Sequence, residues 1–147
     1  MMLQFLLCML ATLSFGVLFA VPKSELIFCG LTGALGWLVY LICLNADCGA
    51  AISNLIATFT LTVVSRTTAA LRKNPVTVYL ISGIFPLVPG AGIYYTSYYF
   101  IMNEMEKCTA NGMNTAKVAG AIVLGIIFGF SLPQSWFHAI SHKKQTS

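Results

Sequence analysis

The sequence has little charge. Of its 147 residues only 8% are Asp, Glu, Lys or Arg, and four of these are acidic. A soluble domain carries about 25% charged residues, so this composition excludes an ordinary soluble protein. The basic residues stand at the ends of apolar segments and form no basic patch with interleaved aromatic residues, which argues against a nucleic-acid partner.

The sequence also lacks the motifs of soluble catalysis and of metal binding. It contains no G-x-S-x-G, no H-E-x-x-H and no Gly-rich phosphate loop followed by Lys-Ser or Lys-Thr. No two of its five cysteines have C-x-x-C spacing. His138 and His142 form an i, i+4 pair without a third ligand. We therefore predict no enzyme activity, no cofactor and no metal site.

Apolar residues are abundant. They make up 58% of the chain, and the mean hydropathy is +0.84. Their runs are long enough for a bilayer, which takes about 17–25 residues per helix. We predict an all-α integral membrane protein, residues 1–147 forming a single transmembrane domain in the lipid bilayer. Its roughly five transmembrane helices are expected near residues 3–21, 26–44, 50–65, 75–103 and 116–137, with polar loops at 66–74 and 104–115 and a basic tail at 138–147.

The fourth predicted helix is interrupted by a Pro-Leu-Val-Pro-Gly motif. Residues 82–94 contain two prolines and three glycines, and no charge lies between Pro75 and Asn103. Pro86 and Pro89 cannot donate backbone hydrogen bonds. An unbroken helix over 75–103 would be about 43 Å long, against a hydrocarbon core of about 30 Å. We therefore predict a break near residues 86–90.

Such a break leaves carbonyl acceptors free on one side and amide donors free on the other. Pro86 removes the helical donor of the Ser82 carbonyl, and Pro89 removes that of the Phe85 carbonyl. Beyond the break, free amides and the dipole of a new half-helix attract an anion. Together they could hold the ammonium and the carboxylate of an amino acid. The candidate substrate-binding residues are Ser82, Phe85, Pro86, Pro89, Gly90, Ala91, Gly92 and Tyr94. A plain proline kink, satisfied by hydroxyl side chains or water, is the alternative.

A polar stripe marks the third predicted helix. Its members, spaced by four, are Asn54, Thr58, Thr62 and Arg66. The stripe serves either interhelical hydrogen bonding or the lining of a cavity. We add Asn54 to the substrate-binding candidates, with Arg66 and Asp47 as charge partners. All four carboxylates fall in predicted loops, so a proton-coupling group must reach in from a loop or belong to another chain.

Small residues indicate where helices make close contacts, and basic residues indicate how the chain is oriented in the membrane. Gly30, Gly33 and Gly36, and later Gly125 and Gly129, form ladders for close helix contact, within the chain or in a homo-oligomer. With five spans, six basic loop and tail residues face two across the membrane. This places the N-terminus outside and the C-terminus in the cytoplasm. If residues 75–103 re-enter as a hairpin, the count is again six against two, so charge does not decide between the two topologies.

One motif resembles a known family. Residues 86–94, Pro-Leu-Val-Pro-Gly-Ala-Gly-Ile-Tyr, are similar to the P-x-x-P-G-x-x-x-Y signature of the threonine/serine exporter family, in particular its small YjjB-like subunit. Pro86, Pro89, Gly90 and Tyr94 match that signature directly. Further similarities are Gly-Trp-Leu-Val-Tyr at 36–40, Ser-Arg at 65–66 before a basic loop and a proline, and Ser-Leu-Pro at 131–133 with a following tryptophan.

The resemblance implies a five-helix, multi-pass module of the cell (inner or plasma) membrane that works with a second, YjjP-like subunit. It implies secondary export of threonine and serine at the expense of the proton gradient, and related pairs are associated with succinate export. Three functions stay open: a hydroxy amino acid exporter subunit, a dicarboxylate (succinate) exporter subunit of the same architecture, and a non-transporting structural or assembly subunit.

Overall fold

The protein is described here by a computed structural model covering residues 2–133. Within this range the chain is helical and contains no strand. The elements are α1 (Met2–Leu18), α2 (Leu26–Asn45), α3 (Ala50–Arg72), α4 (Val76–Ile84), a 3-10 turn (Phe85–Leu87), α5 (Gly90–Ile101) and α6 (Met105–Ser131).

Helices α1 to α4 pack through small residues. Thr12 of α1 occupies the space where a side chain at Gly33 of α2 would stand. Leu61 of α3 is fully buried against Gly36 of α2 and Gly83 of α4. Contacts this close replace the hydrophobic driving force that helices lack in lipid. The bundle is therefore held together by fitted glycine surfaces around one leucine.

Helices α3 and α6 run parallel. Gly125 lies against Leu55 and Thr58 of α3, and Gly129, one turn further along α6, lies against Thr62, one turn beyond Thr58. Arg66 then donates from Nη1 to the Leu132 carbonyl at 2.9 Å. Residue numbers thus rise together along both helices. The glycine ladders of α2 and α6 are occupied by contacts inside the chain; a homo-oligomer stays a prediction and would need another surface.

Two predicted loops are wrong. Residues 66–72 continue α3, because Thr67–Leu71 contains no helix breaker and the helix ends only at Lys73, which has φ 56°. Residues 105–115 belong to α6, so Asn111-Gly112 forms no turn. Gly112 instead packs on Thr96 of α5, a tertiary contact that outweighs local turn propensity. Residues 134–137 of the last predicted helix and the tail at 138–147, with both histidines, lie outside the described residues.

The described helices include membrane-spanning candidates. By length and composition, α2 and α6 can each cross a bilayer. The pair Val76–Leu87 and Gly90–Ile101, bent by 50° at the break, meets the same criterion when taken together, and α1 is an apolar but shorter helix. These helices give the chain the character of a membrane protein.

Candidate functional site

The α-helical geometry of α4 ends at Ile84, and that of α5 begins at Gly90. Between them the 3-10 turn leads to Val88 in extended conformation. Pro89 has φ −75° and ψ 58°, and the Gly90 N–H donates to the Val88 carbonyl at 2.8 Å. This is the geometry of an inverse γ-turn. The two prolines thus create a sharp corner between α4 and α5.

The corner leaves amides free, while one of the carbonyls expected to be free is satisfied. The Val88 N–H donates to the Phe85 carbonyl at 3.2 Å, so the 3-10 turn replaces the donor that Pro89 removes. At the start of α5, no side chain caps the helix. The amides of Ala91 and Gly92 occupy the second and third helical positions, which have no intrahelical partner. The corner therefore presents N–H donors.

A cavity of about 250 Å³ lies beside this corner. A water molecule takes up about 30 Å³ in the liquid, so the cavity can hold a small metabolite. Its lining combines the corner with the second half of α2, the start of α3 and the middle of α6. The lining residues are Trp37, Tyr40, Ala50, Asn54, Pro86, Leu87, Val88, Pro89, Ala91, Gly92, Asn114, Thr115 and Val118.

Asn54 borders the cavity and carries an unpaired acceptor. The residue is only 4% exposed, and its Nδ2 donates to the Ala50 carbonyl at 2.8 Å. Its Oδ1 is buried and has no hydrogen-bond partner among the described residues. A buried acceptor without a donor costs about 1–3 kcal/mol. The arrangement invites a ligand that brings an N–H or O–H group.

Four of the predicted substrate-binding residues are not among the residues that line the cavity. The Ser82 hydroxyl donates to the Val78 carbonyl at 2.7 Å, and the residue borders a different cavity beside α1. The Phe85 ring stacks on Phe15 at 4.3 Å. Tyr94 is 63% exposed, and open space surrounds Gly90. The structure thus brings Asn54, Pro86, Pro89, Ala91 and Gly92 together and places the other candidates elsewhere.

The two predicted charge partners are also separated from the cavity centre. Arg66 is buried and donates from Nη1 to the carbonyls of Gly129 at 2.7 Å and Leu132 at 2.9 Å. Three turns of α3, about 18 Å, separate it from Asn54. Asp47 is exposed in the α2–α3 loop with φ 56°, three residues before Ala50 of the lining. Arg66 therefore serves the last carbonyls of α6, where a cation is favourable.

Several lining residues were missed from the sequence. Trp37 and Tyr40 signal a membrane interface by composition alone, yet they border the cavity. Asn114 and Thr115 fall in the predicted loop at 104–115, whereas they lie inside α6. The available signal was the spacing of Asn111 and Thr115, which puts two polar residues on one helical face. This spacing predicts a shared face only if residues 105–115 are helical, as they are in α6.

Comparison with known proteins gives one match. The family model described as "Threonine/Serine exporter, ThrE" matches residues 4–132. No curated protein and no solved structure matches the chain. The matched range covers the six helices, except the first two residues of α1, and the corner with its cavity. The chain belongs to the threonine/serine exporter (ThrE) family.

Proposed function

We propose that the chain is one subunit of a secondary exporter for threonine and serine and that it works with a second membrane subunit. The family supports the transport class. One observation carries the substrate assignment: Ala91 and Gly92, with free amides at the start of α5, border the same cavity of about 250 Å³ as Asn54, whose buried Oδ1 has no partner among the described residues. Residues that carry donors and an acceptor thereby surround one small space.

This pair of groups matches a zwitterionic amino acid. The amides of Ala91 and Gly92 bind the carboxylate, helped by the dipole of α5. The Oδ1 of Asn54 accepts a hydrogen bond from the ammonium. Polar side chains remain for a substrate hydroxyl, among them Thr115, whose hydroxyl lies against Gly92. A hydroxy amino acid thus finds a partner for each of its polar groups.

A dicarboxylate fits less well. Its second carboxylate would meet the Asn54 Oδ1, which is an acceptor, and two acceptors repel. Arg66, the cation that such a substrate would use, lies about 18 Å along α3 from Asn54 and serves carbonyls of α6. A purely structural role leaves the buried acceptor unexplained. Both alternatives stay testable, but the cavity favours the amino acid.

The parallel packing of α3 and α6 supports the five-span topology. Two parallel helices need one crossing of the bilayer between them, which α4, the corner and α5 provide together. A re-entrant hairpin would instead make α6 antiparallel to α3. The end of α3, the start of α2 and the end of α6 then face the cytoplasm, and the N-terminus lies outside. The cavity lies near the start of α3, toward the outer face.

A second subunit is supported by the exposure of α5. None of its twelve residues is buried, although it borders the proposed site. Alternating-access transporters place their sites between two halves. The second subunit would cover α5, close the cavity, and supply a carboxylate within the membrane for proton coupling, since the carboxylate that lies within a described helix, Glu106, is in the first turn of α6.

Efflux of radiolabelled threonine from vesicles, with the candidate second subunit co-expressed, tests the proposal. Asn54→Leu removes the acceptor, and we expect efflux to fall about tenfold or more. Asn111→Leu is the matched control, because Asn111 also donates from Nδ2 to the carbonyl four residues earlier but does not line the cavity. Unchanged efflux in Asn54→Leu would contradict the site. Co-purification of both subunits without any efflux would favour the assembly role.

A further inference from the structure

An ion pair between a buried carboxylate and a part-exposed guanidinium closes the end of the bundle farthest from the cavity. Glu25, just before α2, is 5% exposed. Its carboxylate accepts hydrogen bonds from Arg72 Nε at 2.9 Å and Arg72 Nη2 at 2.7 Å. It accepts a third from the Tyr79 hydroxyl at 2.6 Å. Glu25, Arg72 and Tyr79 are called the Glu25 clasp below.

The Glu25 clasp ties three helices together. Arg72 ends α3, Tyr79 lies in α4, and the Arg72 guanidinium also lies over the Phe28 ring of α2 at 4.3 Å. Asn74 Nδ2 donates to the Tyr79 hydroxyl at 3.2 Å. Arg72, Asn74 and Tyr79 come from the end of α3, the following turn and α4, whereas Glu25 and Phe28 come from the start of α2. Separation of α2 from α3 and α4 at this end therefore requires the clasp to break.

The clasp and the cavity lie at opposite ends of the same helices. Along α3, eighteen residues separate Arg72 from Asn54, which is about 27 Å. Leu61 stands between them, fully buried against Gly36 and Gly83. A solute in the cavity therefore meets two barriers on the clasp side: the Leu61 contact and, beyond it, the clasp.

Stability alone is a weak reason for such a pair. An ion pair with one exposed partner, here Arg72, is screened by solvent and contributes little to stability. Such pairs are well suited to contacts that form in one state and exchange partners in another. The exposed Glu104–Lys107 pair, which joins residues of one turn, offers no comparable link between helices.

We infer that the Glu25 clasp is the cytoplasmic closing contact of the transport cycle. The inference rests on the proposed function and on its topology. In this structure the clasp is formed and the cavity lies on the other side of Leu61. For loading from the cytoplasm, Arg72 and Tyr79 release Glu25, α2 moves away from α3 and α4, and the path past Leu61 opens.

A reversible cross-link tests this directly. Glu25→Cys and Arg72→Cys are combined in a chain whose native cysteines are replaced by alanine, and a short bis-methanethiosulfonate reagent joins the pair. We expect threonine efflux to fall about tenfold or more on linking and to recover with reductant, because a locked clasp prevents loading. Binding of external threonine should persist. Equal efflux in the linked and reduced forms would overturn the inference.

A second measurement does not depend on transport. Cys29 is fully buried one turn after Glu25, and we expect Glu25→Gln to raise its labelling by a cytoplasmic maleimide about tenfold, in a chain with Cys29 as the single cysteine. Glu104→Gln is the matched control and should leave that rate unchanged. A single-cysteine form with Cys8, buried on α1, reports general loosening and should also keep its rate.

Unchanged labelling of Cys29 in Glu25→Gln, or an equal rise at Cys8, would overturn the inference. The outcome separates it from the proposed site. If Asn54→Leu leaves efflux intact while Cys29 responds to the clasp, the substrate site is wrong and the clasp stands. If Asn54→Leu abolishes efflux while linking has no effect, the reverse holds.

Discussion

Gly92 of α5 and Thr115 of α6 are in such close contact that no side chain fits at residue 92. A Cβ there would overlap the Thr115 hydroxyl, which donates to the Asn111 carbonyl at 2.8 Å. Because both residues line the cavity, their contact sets the distance between the free amides of α5 and the polar face of α6. The glycine at 92 is thus required by a neighbouring helix.

Gly92→Ala should therefore disable the site. The added methyl group pushes α5 away from α6, an overpacking that costs about 1–3 kcal/mol. We expect threonine efflux to fall by about tenfold, measured per folded transporter. Gly90→Ala is the matched control, since a Cβ at Gly90 meets open space, and its efflux should stay near wild type. Thr115→Ala in the Gly92→Ala background should restore part of the lost stability, measured as the thermal unfolding midpoint in detergent, and no rescue would argue against the contact.

Close packing of α6 on α3 predicts a second glycine effect. A Cβ at Gly125 would stand 2.6 Å from the Leu55 carbonyl oxygen, which is backbone and cannot move aside cheaply. Gly125→Ala should lower the thermal unfolding midpoint in detergent. Gly120→Ala, where nothing lies within 4 Å, should leave it unchanged or raise it, because alanine favours a helix by about 1 kcal/mol over glycine. Similar midpoints in the two variants would contradict the packing.

Arg66 should matter for stability and leave substrate affinity unaltered. Arg66→Met removes hydrogen bonds to the last carbonyls of α6, each worth about 1.5–3 kcal/mol with a charged donor. We expect a lower unfolding midpoint and an unchanged threonine KM in the transporter that remains folded. A large rise in KM would return Arg66 to the role of charge partner that its position in the polar stripe suggested.

The Glu25 clasp makes the free energy of unfolding depend on pH in the acidic range. Arg72, then Tyr79, lowers the pKa of the Glu25 carboxyl from 4.5 to about 2. Its contribution is therefore fully present above pH 4.5 and is lost as the pH falls toward 2. In detergent, wild-type stability should fall more steeply over this window than that of Glu25→Gln. Parallel pH curves for the two proteins would show that the ion pair does not form.

The sequence predicts the helices better than it predicts the site. Long apolar runs mark α1 and α2, and two prolines mark the corner between α4 and α5, because these signals are local. The side chains of Ser82 and Phe85 point away from the cavity, which the loss of a helical donor cannot foretell. The Phe85 carbonyl is satisfied by Val88 within the 3-10 turn. A proline thus indicates where a helical hydrogen bond is lost. Which carbonyl remains without a donor depends on the conformation of the following turn.

Tertiary contacts account for the remaining differences. Glu25 looks like a solvated loop residue until Arg72 and Tyr79, 47 and 54 positions away, are brought to it. Asn111-Gly112 has the composition of a turn, but Gly112 is needed against Thr96. Asn54 is a candidate because of its polar stripe, and it does border the cavity; a polar side chain on a membrane helix must face protein or water. Its role in binding stays a prediction.

The fluorescence of Trp37 gives the most direct test of the proposed site. Trp37 lines the cavity, and Trp136→Phe makes it the single tryptophan of the chain. Titrating threonine into this form, co-purified with its second subunit, should change Trp37 emission saturably. The change should vanish in Asn54→Leu and persist in Asn111→Leu, and succinate should cause none. An equal response to threonine with and without the Asn54 side chain, or a response to succinate alone, would contradict an amino-acid site at the corner.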